Sequence, residues 1–243
     1  SADSALAALT DDNRRLGVID IPNGTTLDDT AVVGGEARTG ILTMIAANSC
    51  REGLTDGLES CVTVDQLHET IATTAPADLG VPDWAAAEVD ARGADARRIE
   101  GLISPGVHLF DPTSGPVDIL RELVSGSVVE YEGTGLVEMA ATVGLTPYQV
   151  LTAASLVERE APAGDFDKVA RVILNRLNED QMLQFDSTVN YDVDEQEVAT
   201  TEEDRARETP WNTYAKKGLP DTPIASPGVE ALQAVERPAD GDW

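Results

Sequence analysis

The stretch TAASLVEREA, residues 152–161, sets two glutamates into a pattern that otherwise reads as a buried helix. With Val150 at the origin of a helical wheel, Glu158 falls near about 80°, between Ala154 and Leu151. Glu160 falls near about -80°, between Leu156 and Ala153. Val157 and Ala161 extend the apolar arc, and Thr152, Ser155 and Arg159 share a narrow polar face. A carboxylate on an apolar face needs either a partner or a task. Desolvation would raise its pKa and let it hold a proton near neutrality, the requirement for a general acid. The plainer alternative is an ion pair with Arg171 or Arg176 on the following helix. The two carboxylates point about 160° apart on the wheel. One at most can therefore address a given bond, and the other is expected to brace the fold.

The elements that must position these groups can be read locally. Thr146-Pro147-Tyr148-Gln149 is a helix opening, with Thr146 as N-cap, Pro147 at N1 and Gln149 completing a capping box. Gly144 closes the preceding helix. Helices are expected over 117–125, 135–143, 147–160, 166–178 (capped by Asp165) and 228–236 (opened by Ser226-Pro227). The polar stretch 183–225 reads as loop or short strand. Nearer the start, GVIDIPNG (17–24) reads as a strand closed by a turn at Pro22-Asn23-Gly24. Helices follow around 38–48, 65–73 with Asp65 as cap, and 84–92 after Pro82. IEGLISPGVHLFDPTSGP (99–116), rich in Gly and Pro, reads as a linker or irregular crossover. The fold class is α+β, with a small α/β domain over 1–98 and a mostly helical domain over 99–243.

Composition narrows the function. The chain has 243 residues, 42% hydrophobic, enough to bury a core. Its 44 acids and 17 bases give a formal charge of -27. Asp186 to Glu208 holds nine acids and two bases, read as a solvated acidic face. Without a basic footprint, no nucleic-acid partner is expected. Cys50 and Cys61 could be bridged or free, a bridge being favoured outside the cytoplasm. With His68 and His108 far apart, no Cys/His zinc spacing exists, and neither metal nor cofactor is expected. There is no apolar run of about 20 residues and no signal peptide. SADSALAAL reads as a start inside a longer protein, so an anchor is expected outside this chain. No GxSxG elbow or glycine-rich phosphate loop occurs.

TAASLVEREA, VARVILNRL (169–177), LQFDSTVNY (183–191), PWNTY (210–214) and GLPDTPIASPG (218–228) occur in that order. Together they resemble the endolytic murein transglycosylases, the MltG or YceG-like family, and IEGLISPGVHLF resembles that family's lead-in. The resemblance implies a lysozyme-like catalytic domain behind a LysM-like one. It implies cleavage of peptidoglycan between N-acetylmuramic acid and N-acetylglucosamine to leave 1,6-anhydro ends, on the extracytoplasmic face of the membrane. Cell-wall synthases are the partners it brings to mind. It assigns Glu158 as the catalytic acid and Glu160 as its support. Gln184, Asp186, Thr188, Asn212 and Tyr214 are then expected to line the sugar groove. The extracytoplasmic setting favours a Cys50–Cys61 bridge. Two departures stand out. Ser187 replaces a proline common in the family, and Trp243 falls where the family continues into further strands, so the C-terminal end is expected to be incomplete.

Overall fold

The computed structural model describes residues 17–49, 61–162, 164–193, 195–196 and 200–242. Cys50 lies outside them, and so does the expected Cys50–Cys61 pairing.

Strand β1 (Val18–Ile21) turns Ile19 and Ile21 inward and Asp20 outward, the two-residue period of a strand with one buried face. β2 is Ala31–Val32. Helices α1 (Ile41–Ser49), α2 (Val64–Thr73) and α3 (Asp83–Ala91) follow. β3 (Gly106–Leu109) pairs antiparallel with β1, in a register running from Val18–Leu109 to Ile21–Gly106. Then come α4 (Pro116–Gly133), α5 (Leu136–Ala140), α6 (Pro147–Glu160), α7 (Phe166–Asn178) and α8 (Asp186–Asn190). β4 (Glu195–Gln196) pairs parallel with β2, and α9 (Glu202–Ala206) and α10 (Val229–Glu236) complete the order. The mixture of helices with short sheets is the expected α+β class.

Helix α6 begins as its sequence dictates. The Thr146 hydroxyl accepts Gln149 N–H at 3.2 Å, and the Gln149 side-chain oxygen accepts Thr146 N–H at 2.9 Å. Other local expectations give way to tertiary partners. Thr63, not Asp65, caps α2, in a capping box with Gln66. Asp165 precedes α7 but its carboxylate takes the Lys168 ammonium at 2.5 Å instead of a backbone N–H. α10 starts after Gly228, so Ser226-Pro227 lies before its cap. α4 runs to Gly133, well past the expected end, because Leu123, Val124, Ser127 and Tyr131 continue one buried face. The polar stretch 183–225 holds two short helices, α8 and α9.

The first part of the segment read as a linker, residues 99–104, is interior. Ile99, Leu102 and Ile103 are fully buried, and the Tyr131 hydroxyl donates to Gly101 O at 3.0 Å. Gly101 serves a turn inside the core. Gly101 sits at φ +76°, and a Cβ there would meet Pro223 Cβ at 2.5 Å. The buried apolar cluster is continuous from Ile19 to Val235, across residues 98 and 99. α6 is its centre, packed by α3, α5, α7, α8 and α10. Consequently α6 has no polar face over 150–157. Thr152 and Ser155, expected to face water, are buried, and their hydroxyls donate to Tyr148 O (2.9 Å) and Thr152 O (2.7 Å).

Candidate active site

Glu158 and Glu160 occupy the last turn of α6, just past the packed stretch, and both are half-buried. The apolar enclosure expected from the wheel stops at Val157. Arg171 and Arg176 do not pair with either glutamate: Arg171 donates to Ala239 O (2.5 Å) and Arg176 to Leu183 O. Glu158 Oε2 accepts Gly228 N–H at 3.0 Å and, over 3.4 Å, the side-chain amide of Asn23. Oε1 takes no hydrogen bond among the described residues. One oxygen is thus anchored and the other is not. The anchors come from the two ends of the chain. Asn23 stands in the turn after β1, which is clipped to the segment before α10 by Gly24 N–H to Ser226 O (2.9 Å) and Ser226 N–H to Thr25 O (2.8 Å). A Cβ on Gly228 would lie 2.4 Å from the Asn23 amide nitrogen, so glycine is what lets both donors reach one carboxylate. GLPDTPIASPG therefore delivers a donor to Glu158. Beside this lies a cavity of about 440 Å³ walled by Asn23, Gly24, Thr26, Arg38 and Arg159, among others.

The expected groove residues make no hydrogen bond with Glu158. Glu160 Oε1 accepts Ser187 N–H at 3.0 Å and so fixes the start of α8. Asp186 accepts the Thr200 hydroxyl (2.7 Å), the Tyr214 hydroxyl (2.8 Å) and the Arg205 guanidinium (3.1 Å). Burial works to raise its pKa, but these partners outweigh it and hold it below the ordinary value. Thr188 is fully buried, with its hydroxyl donating to Phe185 O at 2.6 Å and meeting that of Thr213 at 2.9 Å. Asn212 is buried too. Its amide donates to the carbonyls of Asp204, Arg205 and Arg207, and its oxygen accepts Tyr214 N–H. Thr188 and Asn212 have no surface to offer a sugar. Their polar atoms are consumed in holding the loops around α8 and α9, a use that local pattern does not distinguish from ligand binding. Gln184 is exposed, in a left-handed conformation (φ +55°) that costs a residue with a Cβ about 1–2 kcal/mol. Its N–H donates to Thr213 O at 3.1 Å.

Sequence reasoning missed Asn23, Gly228 and a third residue, Glu100. Glu100 is 1% exposed. Its carboxylate accepts Leu27 N–H at 3.1 and 3.2 Å and the Tyr191 hydroxyl at 2.9 Å. Burial pushes its pKa up to about 7, against the opposing pull of those donors. It lines a second cavity, of about 250 Å³, which shares Thr26 and Thr30 with the first. The only available signal was a lone glutamate between Ile99 and Gly101, lost in a segment read as a linker.

The YceG-like family matches residues 1–243, the whole chain. The chain belongs to that family. Among curated relatives, the endolytic murein transglycosylase of Bacillus subtilis (strain 168) is 32% identical over 149 residues, covering 60% of this chain and 40% of its own length. That of Streptococcus pneumoniae serotype 2 is 28% identical over 146 residues, covering 56% of this chain and 26% of its own. This YceG-like chain therefore corresponds to less than half the length of those relatives. The crystal structure of a yceG-like protein from Listeria monocytogenes superposes on all of it and on 73% of that chain, with a TM-score of 0.68 at 22% identity, a likeness of fold.

Proposed function

We propose that this chain carries the catalytic machinery of a peptidoglycan lytic transglycosylase, with Glu158 as general acid and base. One observation carries the reading. Glu158 is anchored through Oε2 alone, leaving Oε1 unbonded among the described residues, and its partner Asn23 lines a cavity of about 440 Å³. The curated names of the relatives support the same activity.

The Glu158 carboxyl gives its proton to the glycosidic oxygen between N-acetylmuramic acid and N-acetylglucosamine, and the bond from C1 breaks. The resulting carboxylate takes the proton of the muramyl 6-hydroxyl, whose oxygen bonds to C1. The product is a 1,6-anhydro ring, with water taking no part. Both reacting groups belong to one sugar, so attack gains from proximity. The anchored Oε2 fixes the carboxyl plane through both proton transfers. Asp186 is the nearest analogue of a second carboxylate in the matched motifs. It is engaged by Arg205, Thr200 and Tyr214, which favours the one-carboxylate route over two-carboxylate hydrolysis.

The same reading carries the finer expectations. The region after residue 98 is lysozyme-like and the region before it LysM-like. Glu160 supports Glu158 by setting α8. Gln184, Asp186 and Tyr214, the half-buried or exposed members of the expected groove, remain candidates for sugar contact. Cys50 and Cys61 form a bridge. The chain acts on the extracytoplasmic side, held there by an anchor beyond this sequence, on strands made by cell-wall synthases. Digestion of purified peptidoglycan followed by mass analysis tests the reaction. 1,6-Anhydro ends are expected; reducing ends would make the enzyme a hydrolase, and intact strands a binding protein.

A further inference from the structure

Several cations of this acidic protein are matched by carboxylates. Arg92 meets Asp95 and Asp221, Arg97 meets Asp192, and Arg205 meets Asp186. The cavity beside Glu158 is different. Its walls include two arginines, Arg38 and Arg159, and no acid. With 44 acids in 243 residues, that local composition runs against the whole molecule. Arg38 is exposed, and its side chain makes no hydrogen bond or ion pair among the described residues. Its place is nonetheless fixed, because Arg38 N–H donates to Thr30 O (2.8 Å) and Arg38 O accepts Thr30 N–H (2.9 Å). Arg159 is half-buried. It commits two of its five donors, to Gly24 O and Gln196 Oε1, both at a long 3.3 Å. Burial and then the facing Arg38 charge lower its pKa, with Glu160 and Glu100 pulling the other way. Two guanidiniums turned toward one cavity without a carboxylate between them repel each other unless an anion enters.

We infer that the Arg38–Arg159 cavity binds a carboxylate carried on the lactyl arm of the muramyl residue at the cleavage site. This rests on the proposed function. The link to the chemistry is Asn23, which lines the cavity and also donates to Glu158. A muramyl unit can present such a carboxylate in two ways. In a peptide-free strand it is the lactyl carboxylate itself. In a peptide-bearing strand it belongs to the stem peptide. Guanidinium forks suit either group.

The test is calorimetric binding to Glu158→Gln protein, which retains the fold and cannot cut the probe. Three tetrasaccharides are compared: peptide-bearing muramyl, peptide-stripped muramyl, and neutral chitotetraose. At least one anionic probe should bind about tenfold tighter than the neutral one, equivalent to ~1.4 kcal/mol. Adding Arg38→Gln should remove that preference and leave the neutral probe within about twofold. Arg38 is exposed, so its replacement should leave the melting temperature within about 2 °C. Arg159→Lys, keeping the charge but losing the fork, should give an intermediate preference. Whichever anionic probe binds tighter identifies the source of the carboxylate. Equal affinity for all three probes, or a preference that survives Arg38→Gln, overturns the site. Digestion by the unmodified chain separates the two readings. Anhydro ends without the binding preference would sink the anion site alone. The preference without anhydro ends would leave the site standing and remove the lytic reaction.

Discussion

Glu158 and Glu100 both hold the loop that follows β1, the first through Asn23 and the second through Leu27, yet their surroundings are opposite. Glu158 ends a helix at the edge of the core, anchored by one oxygen with the other unbonded among the described residues. Glu100 is enclosed, with both oxygens engaged by Leu27 N–H and one also by Tyr191. A carboxyl that must exchange protons with a ligand needs an uncommitted oxygen. A carboxyl that joins chain segments needs all its acceptor capacity met. The difference shows that burial alone does not mark a catalytic acid.

The largest effect that could break this comparison is at Glu158. Glu158→Gln should lower the cleavage rate about 10²–10⁴-fold. The melting temperature should hardly change, because an amide oxygen can still accept Gly228 N–H. Muropeptide release near the parent rate would remove Glu158 from the role. Next comes its anchor. Gly228→Ala puts a Cβ 2.4 Å from the Asn23 amide, so that side chain must shift and the carboxyl lose one of its two anchors. An activity loss on the order of 10²-fold is expected, read as kcat on soluble glycan strands; an unchanged kcat would mean the second donor is dispensable.

Glu100 should reveal itself through pH. Its pKa is near 7 when folded and about 4.3 unfolded, so the native state binds more protons between those values. The stability this group contributes is therefore full below about pH 4 and is lost as pH rises through 7. In Glu100→Gln that slope should vanish. The melting-stability difference between parent and variant should drift by about 3 kcal/mol over this range, on top of a constant offset from the altered acceptors. A difference that stays flat from pH 4 to 8 would show that Glu100 ionises as in the unfolded chain. The smallest effect concerns the helix itself. Thr146→Ala removes the cap from α6 and should cost about 1 kcal/mol in urea unfolding, leaving kcat within about twofold because the cap is at the far end from Glu158.

Much of the site's frame was legible. The bounds of α6 and α7 follow from periodicity and from the Thr146–Gln149 box, since each helix needs only near neighbours to specify it. The motif order singled out Glu158. Less legible was what each polar residue was for. Asp186, Thr188 and Asn212 have the side chains of a sugar groove, and the structure spends them on Arg205, Thr213 and backbone carbonyls. Glu100 and Asn23 gave no periodic signal because each sits in a turn, and Gly228 gave none because it stands before α10 as its cap.

By itself, then, the sequence determined the helices whose caps and apolar faces are local, the α+β class, and the helix end that bears Glu158. Only the tertiary structure decided that α6 is wrapped on every side, that residues 99–103 are core, and that Asn23 and Gly228 meet at Glu158. The physical reason is range. Capping and amphipathic periodicity act over three or four residues. The pairing of β1 with β3 and the clip between the Asn23 turn and Ser226 join segments far apart in the chain, through backbone groups that every residue type carries.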